Sequence, residues 1–200
     1  MFDARLRPLI DPPLNAAGRW LAERGISANV ITLAGLVPAL VAAIAIAHEA
    51  YGVGLVAIAV NRLADGLDGA VARAQGMTDL GGYLDILADF AFYVAVPVGF
   101  GLANSANAVP AMLLVASFTL TGISFLAFAT IAGKRGEETQ AHGAKSFFYS
   151  TGLAEGTETI AVFIAMCLWP QNFAVIALGY VVLCLLTVIQ RSMIAARNFR

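Results

Sequence analysis

Five of the 13 acidic residues of the chain lie within one short segment. The five are Asp65, Asp68, Asp79, Asp85 and Asp89. At about 100° per residue, Asp65 and Asp68 fall on one arc of a helix. Asp85 and Asp89 are four residues apart, so they share a face of a second helix. A tight turn would fold the two helices antiparallel and bring four carboxylates face to face. Asp79 follows Thr78 in that turn and fits a helix cap better than a ligand.

Carboxylates gathered in this way need neutralisation. Four of them within about 5 Å would repel by a few kcal/mol per pair, even at an effective dielectric near 20. Either some are protonated or cations lie between them. Oxygen ligands without histidine or thiolate favour Mg²⁺, Mn²⁺ or Ca²⁺ over zinc. Four aspartates are enough for a site with two divalent ions.

Residues near the carboxylates indicate a diphosphate ligand. Gly69 and Gly81 lack side chains where we expect the two helices to come closest, which lets a ligand approach the backbone. Arg73 presents a forked cation about 12 Å along the helix axis from Asp65. Metal ions and an arginine together suit a diphosphate near the membrane surface.

The helices that carry these residues must lie in a membrane. Apolar residues make up 60% of the 200-residue chain and charged residues 12%, and the mean hydropathy is +0.80. Such a composition excludes an ordinary water-soluble domain. The net charge of −1 argues against a nucleic-acid partner, because binding to phosphates needs a basic surface.

The fold class predicted from these observations is all-α, a polytopic membrane protein with six transmembrane helices preceded by an amphipathic interfacial helix. The predicted spans are 28–48, 51–74, 79–103, 108–133, 147–169 and 172–194. Residues 1–25 alternate apolar and basic side chains at helical spacing, with Pro12 and Pro13 at an expected helix start and Gly25 at its end. We therefore divide the chain into an interfacial helix, 1–25, and a six-helix domain, 26–200.

Basic residues predict the orientation of the spans. With a cytoplasmic N-terminus, nearly all of them fall in cytoplasmic segments, and the three opposite turns contain none. Arg191 approaches the cytoplasmic side in the last turns, and Arg62 is the one basic residue expected inside a span. Arg62 could pair with Asp65 or touch a phosphate. Both termini and the polar site are expected to be cytoplasmic.

The spacing of these residues resembles the signature of the CDP-alcohol phosphatidyltransferase family. The matching positions are Asp65, Asp68, Gly69, Ala72, Arg73, Gly81, Asp85 and Asp89. The six spans and the leading helix also match, so the resemblance covers nearly the whole chain. It is closest to a bacterial inner-membrane branch of the family.

The resemblance implies a reaction in which an acceptor alcohol displaces CMP from a CDP-linked lipid, usually CDP-diacylglycerol. It implies two divalent ions, Mg²⁺ or Mn²⁺, held by Asp65, Asp68, Asp85 and Asp89. Asp89 would also take the proton of the acceptor. The CDP pocket would be lined by Gly69, Ala72, Arg73 and Gly81. The resemblance also implies a homodimer in the lipid bilayer, in phospholipid biosynthesis.

Two further polar groups flank this signature. Asn29 and Thr32 resemble a nucleotide-contacting segment of the family, although Ala28 replaces its proline; Ser27 or Asn29 could instead cap the first span. Glu155 and Glu158 form a stripe on the fifth span that could, with Lys145, line an acceptor pocket for a hydroxyl-rich or cationic alcohol.

Two alternatives remain at this stage. One is a synthase with a phosphorylated acceptor such as glycerol phosphate, whose phosphate would be bound by Lys134, Arg135 and Lys145. The other is a cation or solute transporter, because intramembrane carboxylates also line ion pathways.

Overall fold

The computed structural model describes residues 3–135 and 152–199, with side chains from residue 10 onward. The described residues form seven α-helices and no strand. The helices are α1 Asp3–Glu23, α2 Ala28–Ala47, α3 Tyr51–Gln75, α4 Asp79–Ala103, α5 Ala108–Lys134, α6 Gly156–Leu168 and α7 Phe173–Asn198. Short 3-10 turns, Ser105–Asn107 and Pro170–Asn172, precede α5 and α7. The all-α prediction is confirmed.

Within the described residues, four helical segments are long and apolar enough to cross a membrane. They are Ala28–Ala47, Asp79–Ala103, Ser105–Lys134 and Pro170–Asn198. Helix α3 is as long as α4, at 25 residues, but it carries Arg62, Asp65, Asp68 and Arg73. Its length fits the predicted span 51–74, and its polar stripe lowers its hydropathy.

The fifth predicted span, 147–169, is partly wrong. Residues 147–151 lie outside the described residues, and helix α6 begins only at Gly156. Before it, the N–H of Gly152 donates to the Glu155 carboxylate (3.0 Å) and that of Ala154 to Thr187 Oγ1 (2.9 Å). The Glu155 carboxylate and the Thr187 hydroxyl thus accept hydrogen bonds that a helix would direct to backbone carbonyls.

The leading segment is a helix, but its start differs from the prediction. Helix α1 begins at Asp3, so Pro12 and Pro13 lie inside it rather than at its start. Neither proline has the N–H that an interior helical residue donates, and two backbone hydrogen bonds are missing there. Gly25 follows the helix with a φ of 77°, as expected for a glycine that ends a helix.

Helix α2 packs against both α3 and α4, whereas the backbones of α3 and α4 come close to each other at few points. Small residues permit this close packing. A Cβ atom at Gly99 of α4 would lie 2.6 Å from the Ala43 carbonyl oxygen, and one at Gly35 would lie 3.4 Å from Ala64 Cβ. The expectation that Gly69 and Gly81 mark a direct α3–α4 contact is therefore wrong, because α2 joins these two helices.

Aromatic side chains fill the centre of the bundle, and aliphatic ones cover its outside. Phe100 stacks on Phe173 with ring centroids 4.5 Å apart, and Phe92 meets Phe163 edge-on at 5.6 Å. On the outside, Leu102 is 72% exposed and Val175 75% exposed. An apolar surface of this kind is stable against lipid rather than water.

Candidate active site

Three of the predicted aspartates converge. Asp65 and Asp68 on α3 and Asp85 on α4 each place one carboxylate oxygen within 4.8 Å of the others. Helix α4 begins at Asp79, and Thr78 Oγ1 caps it by accepting from the N–H of Gly81 (3.0 Å). Thr78 is therefore the cap, not Asp79. This start places Asp85 in the second turn of α4, opposite the last turns of α3.

The donor set of this cluster fits a divalent cation. Oxygens that bind one Mg²⁺ at about 2.1 Å lie at most about 4.2 Å apart, so small side-chain rotations would close the cluster around an ion. All three donors are carboxylates, which suit Mg²⁺ or Mn²⁺. Asp68 is buried at 5% exposure, where an unneutralised carboxylate would be costly.

Asp89 lies one turn after Asp85 and forms an ion pair with Arg62. Arg62 Nη1 donates to Asp89 Oδ1 at 3.0 Å and lies 3.6 Å from Asp65 Oδ2. The other edge of the Arg62 guanidinium donates to Asn61 Oδ1, from Nε at 2.9 Å and Nη2 at 2.6 Å. The guanidinium also lies 4.3 Å from the centre of the Phe92 ring. The predicted pairing of Arg62 with Asp65 is thus present, and Arg62 pairs more closely with Asp89, which the sequence did not indicate.

A small polar cleft opens beside these side chains. Its lining comes from α2, α3 and α4 and consists of Thr32, Gly35, Asn61, Arg62, Asp65, Asp68, Ala88 and Asp89. Asn61 Nδ2 donates to the Gly35 carbonyl at 2.8 Å and thereby fixes one wall. Thr32 Oγ1 donates to the Ala28 carbonyl at 3.1 Å.

The start of α2 borders the glycine of α4. A Cβ at Gly81 would lie 3.3 Å from Asn29 Oδ1 and 3.0 Å from Thr78 Oγ1. Asn29 thus lies beside Gly81, and Thr32 lines the cleft together with Asp65 and Asp68. Ser27 precedes α2 without a side-chain capping bond, so the capping interpretation of Ser27 gains no support.

Arg73 lies at the end of α3 and is held by a residue that the sequence did not reveal. Asn15 Oδ1 on α1 accepts from Arg73 Nε at 3.2 Å and from Nη2 at 2.9 Å. A Cβ at Gly69 would lie 3.3 Å from Arg73 Nη1, so this glycine leaves room for the guanidinium. Ala72, also in the signature, is half-buried next to Arg73.

The sequence profile of the family described as "CDP-alcohol phosphatidyltransferase" matches residues 26–190. The chain belongs to this family. It is 44% identical to the Escherichia coli inner membrane protein YnjF over 96% of this chain and 93% of that protein. It is also 34% identical to the archaetidylinositol phosphate synthase of Pyrococcus horikoshii, over 43% of this chain and 46% of that protein.

Solved structures show the same fold. The Mycobacterium tuberculosis phosphatidylinositol phosphate synthase PgsA1 with CDP-DAG bound has a TM-score of 0.71 and 19% identity, covering 90% of this chain and 92% of that one. The same protein in complex with manganese and citrate also has a TM-score of 0.71, at 20% identity, covering 90% of this chain and 87% of that one. The chain is therefore a transferase in an integral membrane fold, and its relatives support a role in phospholipid biosynthesis. The transporter alternative is wrong.

In this CDP-alcohol phosphatidyltransferase, the two glutamates predicted to line the acceptor pocket, Glu155 and Glu158, lie at the start of α6. Glu155 is 8% exposed and its carboxylate accepts from the N–H of Gly152. Glu158 lies in the first turn of α6. Lys145 lies outside the described residues. Gly156, between the two glutamates, faces α4, because a Cβ there would lie 3.6 Å from Tyr93 Oη, one turn after Asp89.

Arg191, near the end of α7, is buried among the helices of the bundle. It is 6% exposed, and its Nη1 donates to the Thr121 carbonyl at 3.0 Å and to Ser124 Oγ at 2.7 Å. A Cβ at Gly152 would lie 3.4 Å from Arg191 Nη2. A buried cation thus lies beside the segment that carries Glu155. Its position in the last turns of an apolar helix gave no sequence signal for burial.

Proposed function

We propose that the protein transfers a phosphatidyl group from CDP-diacylglycerol to the hydroxyl of an acceptor alcohol and releases CMP. The observation that carries this proposal is the convergence of Asp65, Asp68 and Asp85, with Asp89 one turn away, beside an open cleft. The similar structure of PgsA1 contains bound CDP-DAG, which supports a donor of the same class for this chain.

Asp65, Asp68 and Asp85 would hold divalent metal, Mg²⁺ or Mn²⁺, and Asp89 would complete the set if two ions bind. When bound, the ions supply positive charge that neutralises the diphosphate and the departing CMP. Arg73 would bind a phosphate oxygen through its guanidinium. Gly69, Ala72 and Gly81, with Asn29 and Thr32, would line the pocket for the CDP moiety.

Asp89 would act as the general base. The acceptor oxygen attacks the phosphorus that carries the diacylglycerol, its proton passes to Asp89, and the bond from this phosphorus to the bridging oxygen breaks. The electron pair of that bond leaves with CMP. Because Arg62 donates to Asp89 Oδ1, Oδ2 is the oxygen expected to receive the proton.

The placement in the membrane is part of the proposal. Six spans would cross the bacterial inner membrane, with both termini in the cytoplasm and residues 1–25 as an interfacial helix before the 26–200 domain. Asp68 and Asp85 lie about 10 Å along their helices from the turn between α3 and α4. With that turn in the cytoplasm, a headgroup reaches the aspartates while its acyl chains stay in lipid. We also propose a homodimer.

Two versions of this function differ in the acceptor, which either lacks or carries a phosphate group. Glu155 and Glu158 favour a hydroxyl-rich or cationic alcohol. Two similar proteins, an archaetidylinositol phosphate synthase and a phosphatidylinositol phosphate synthase, have names that fit a phosphorylated acceptor. In this chain its phosphate would be bound by Lys134, Arg135 and Lys145. Glu155→Gln and Glu158→Gln should shift acceptor preference in the first version and leave it unchanged in the second.

The test is CMP release by the purified full chain with CDP-diacylglycerol, Mg²⁺ or Mn²⁺ and a panel of alcohols with and without phosphate groups. We expect release that requires both the metal and one class of alcohol. An absence of release with every alcohol and either metal would contradict the proposed donor.

A further inference from the structure

Helix α1 packs directly on the part of α3 that carries the aspartates and Arg73. A Cβ at Gly18 would lie 2.6 Å from Ala70 Cβ and 2.8 Å from the Ala70 carbonyl carbon. A Cβ at Gly66 would lie 2.8 Å from Leu14 Cδ1. These contacts lie between residues 66 and 71 of α3, so α1 is fixed against the signature segment itself.

Asn15 lies between these two contacts along α1. Its Oδ1 accepts from Arg73 Nε at 3.2 Å and from Nη2 at 2.9 Å, so one oxygen holds one edge of the guanidinium. The opposite amino group, Nη1, lies toward Gly69, where a Cβ would be 3.3 Å away. The hydrogen bonds thus leave Nη1 directed at the glycine of the signature.

An exposed arginine otherwise samples many rotamers. Ordering a long side chain costs conformational entropy when a ligand binds, and a partner that fixes it beforehand reduces that cost. Arg73 is exposed, and its two described side-chain hydrogen bonds both go to Asn15. The partner therefore comes from a helix outside the 26–190 match to the family.

We propose that Asn15 is a positioning residue that orients Arg73 for the diphosphate of the CDP-linked donor. This inference rests on the proposed function, because it assigns Arg73 to phosphate binding. It makes α1 part of the donor site as well as a membrane-surface helix. Asn15 itself acts through Arg73.

The experiment measures the affinity of the full chain in nanodiscs for CDP in the presence of Mn²⁺. Asn15→Ala should raise the Kd for CDP about fivefold. Asn15→Leu keeps the shape of the side chain without its acceptor and should have the same effect. Glu23→Ala changes an exposed residue on the same helix and should leave the Kd unchanged.

A double-mutant cycle separates positioning from a general structural role. In an Arg73→Ala background, Asn15→Ala should change the Kd less than twofold, because the residue that it orients is gone. An equal further loss in that background would overturn the inference, as would wild-type affinity in both Asn15 variants. If the wild-type protein itself does not bind CDP with Mn²⁺, the proposed function fails first, and that outcome is distinct.

Discussion

At the scale of single residues, the four aspartates of the site fall into two groups by their geometry. Asp65, Asp68 and Asp85 gather their oxygens, whereas Asp89 is turned to Arg62. Three carboxylates that repel one another need either a cation among them or a bound proton. The pair between Arg62 and Asp89 keeps the fourth carboxylate apart from this group.

We predict that Asp68→Asn weakens Mn²⁺ binding at least tenfold, because it removes one anionic ligand from the cluster. Asp79→Asn is the matched control, since Asp79 is exposed at the first residue of α4 and lies outside the cluster. Calorimetric titration of the purified protein with Mn²⁺ measures both. Equal affinities for the two variants would contradict the assignment.

Arg62 should contribute to stability through its hydrogen bonds to Asn61 and Asp89. Arg62→Met leaves two partly buried acceptors without their donor, and we expect a loss of about 1–3 kcal/mol in the free energy of unfolding. Arg62→Lys keeps the charge but lacks the fork, so it should fall between Arg62→Met and the wild-type protein. Thermal unfolding in detergent measures the order. A stable Arg62→Met variant would show that the network contributes little.

Sequence reasoning identified the aspartates because their spacing places them on helix faces, a property of the chain alone. It could not choose a partner for Arg62, since that choice depends on how far α3 and α4 are separated. Asn15 was not identified because it is 58 positions from Arg73, and an asparagine on an amphipathic helix has no distinctive pattern.

At the scale of helices, α1 and α2 position the signature carried by α3 and α4. Helix α2 joins the two signature helices and adds Thr32 and Gly35 to the cleft. Hydropathy predicted most of these helices, because apolar runs of about 20 residues are an intrinsic signal. It failed at residues 152–155, where the carboxylate of Glu155 and the hydroxyl of Thr187 bind backbone N–H groups instead.

Two glycine substitutions test the docking of α1. Gly18→Ala would place a Cβ against the backbone of Ala70, so we expect α1 to shift and the melting temperature to fall by several degrees. Gly179→Ala is the matched control, because nothing lies within 4 Å of its Cβ position in α7. It should leave the protein unchanged or stabilise it by up to about 1 kcal/mol. The same melting temperature for Gly18→Ala and the wild-type protein would contradict the close α1–α3 contact.

At the scale of the whole molecule, the described residues combine an apolar exterior with a polar cleft beside the aspartates. The high apolar content of the chain predicted the apolar exterior, and the acidic residues gathered in one segment predicted the polar site. Hydropathy alone does not identify α3 as a span, because its charged stripe lowers the mean hydropathy just as a soluble segment would.

Orientation in the membrane can be read from two single cysteines, in a background with Cys167 and Cys184 replaced by alanine. Ser105→Cys lies in the exposed turn before α5, and Met77→Cys lies in the turn between α3 and α4. We predict that an impermeant maleimide labels Ser105→Cys in intact spheroplasts and Met77→Cys only after lysis. The reverse pattern would place the aspartates near the outer face.

The central claim is that Asp89 and the three-aspartate cluster carry out transfer from CDP-diacylglycerol. Its most direct measurement is the rate of CMP release in the presence of Mn²⁺ and an accepted alcohol, for the wild-type protein, Asp89→Asn and Asp79→Asn. The account predicts a loss of at least a hundredfold for Asp89→Asn, the scale of a general base, and a rate near that of the wild-type protein for Asp79→Asn. Undiminished CMP release by Asp89→Asn would contradict it.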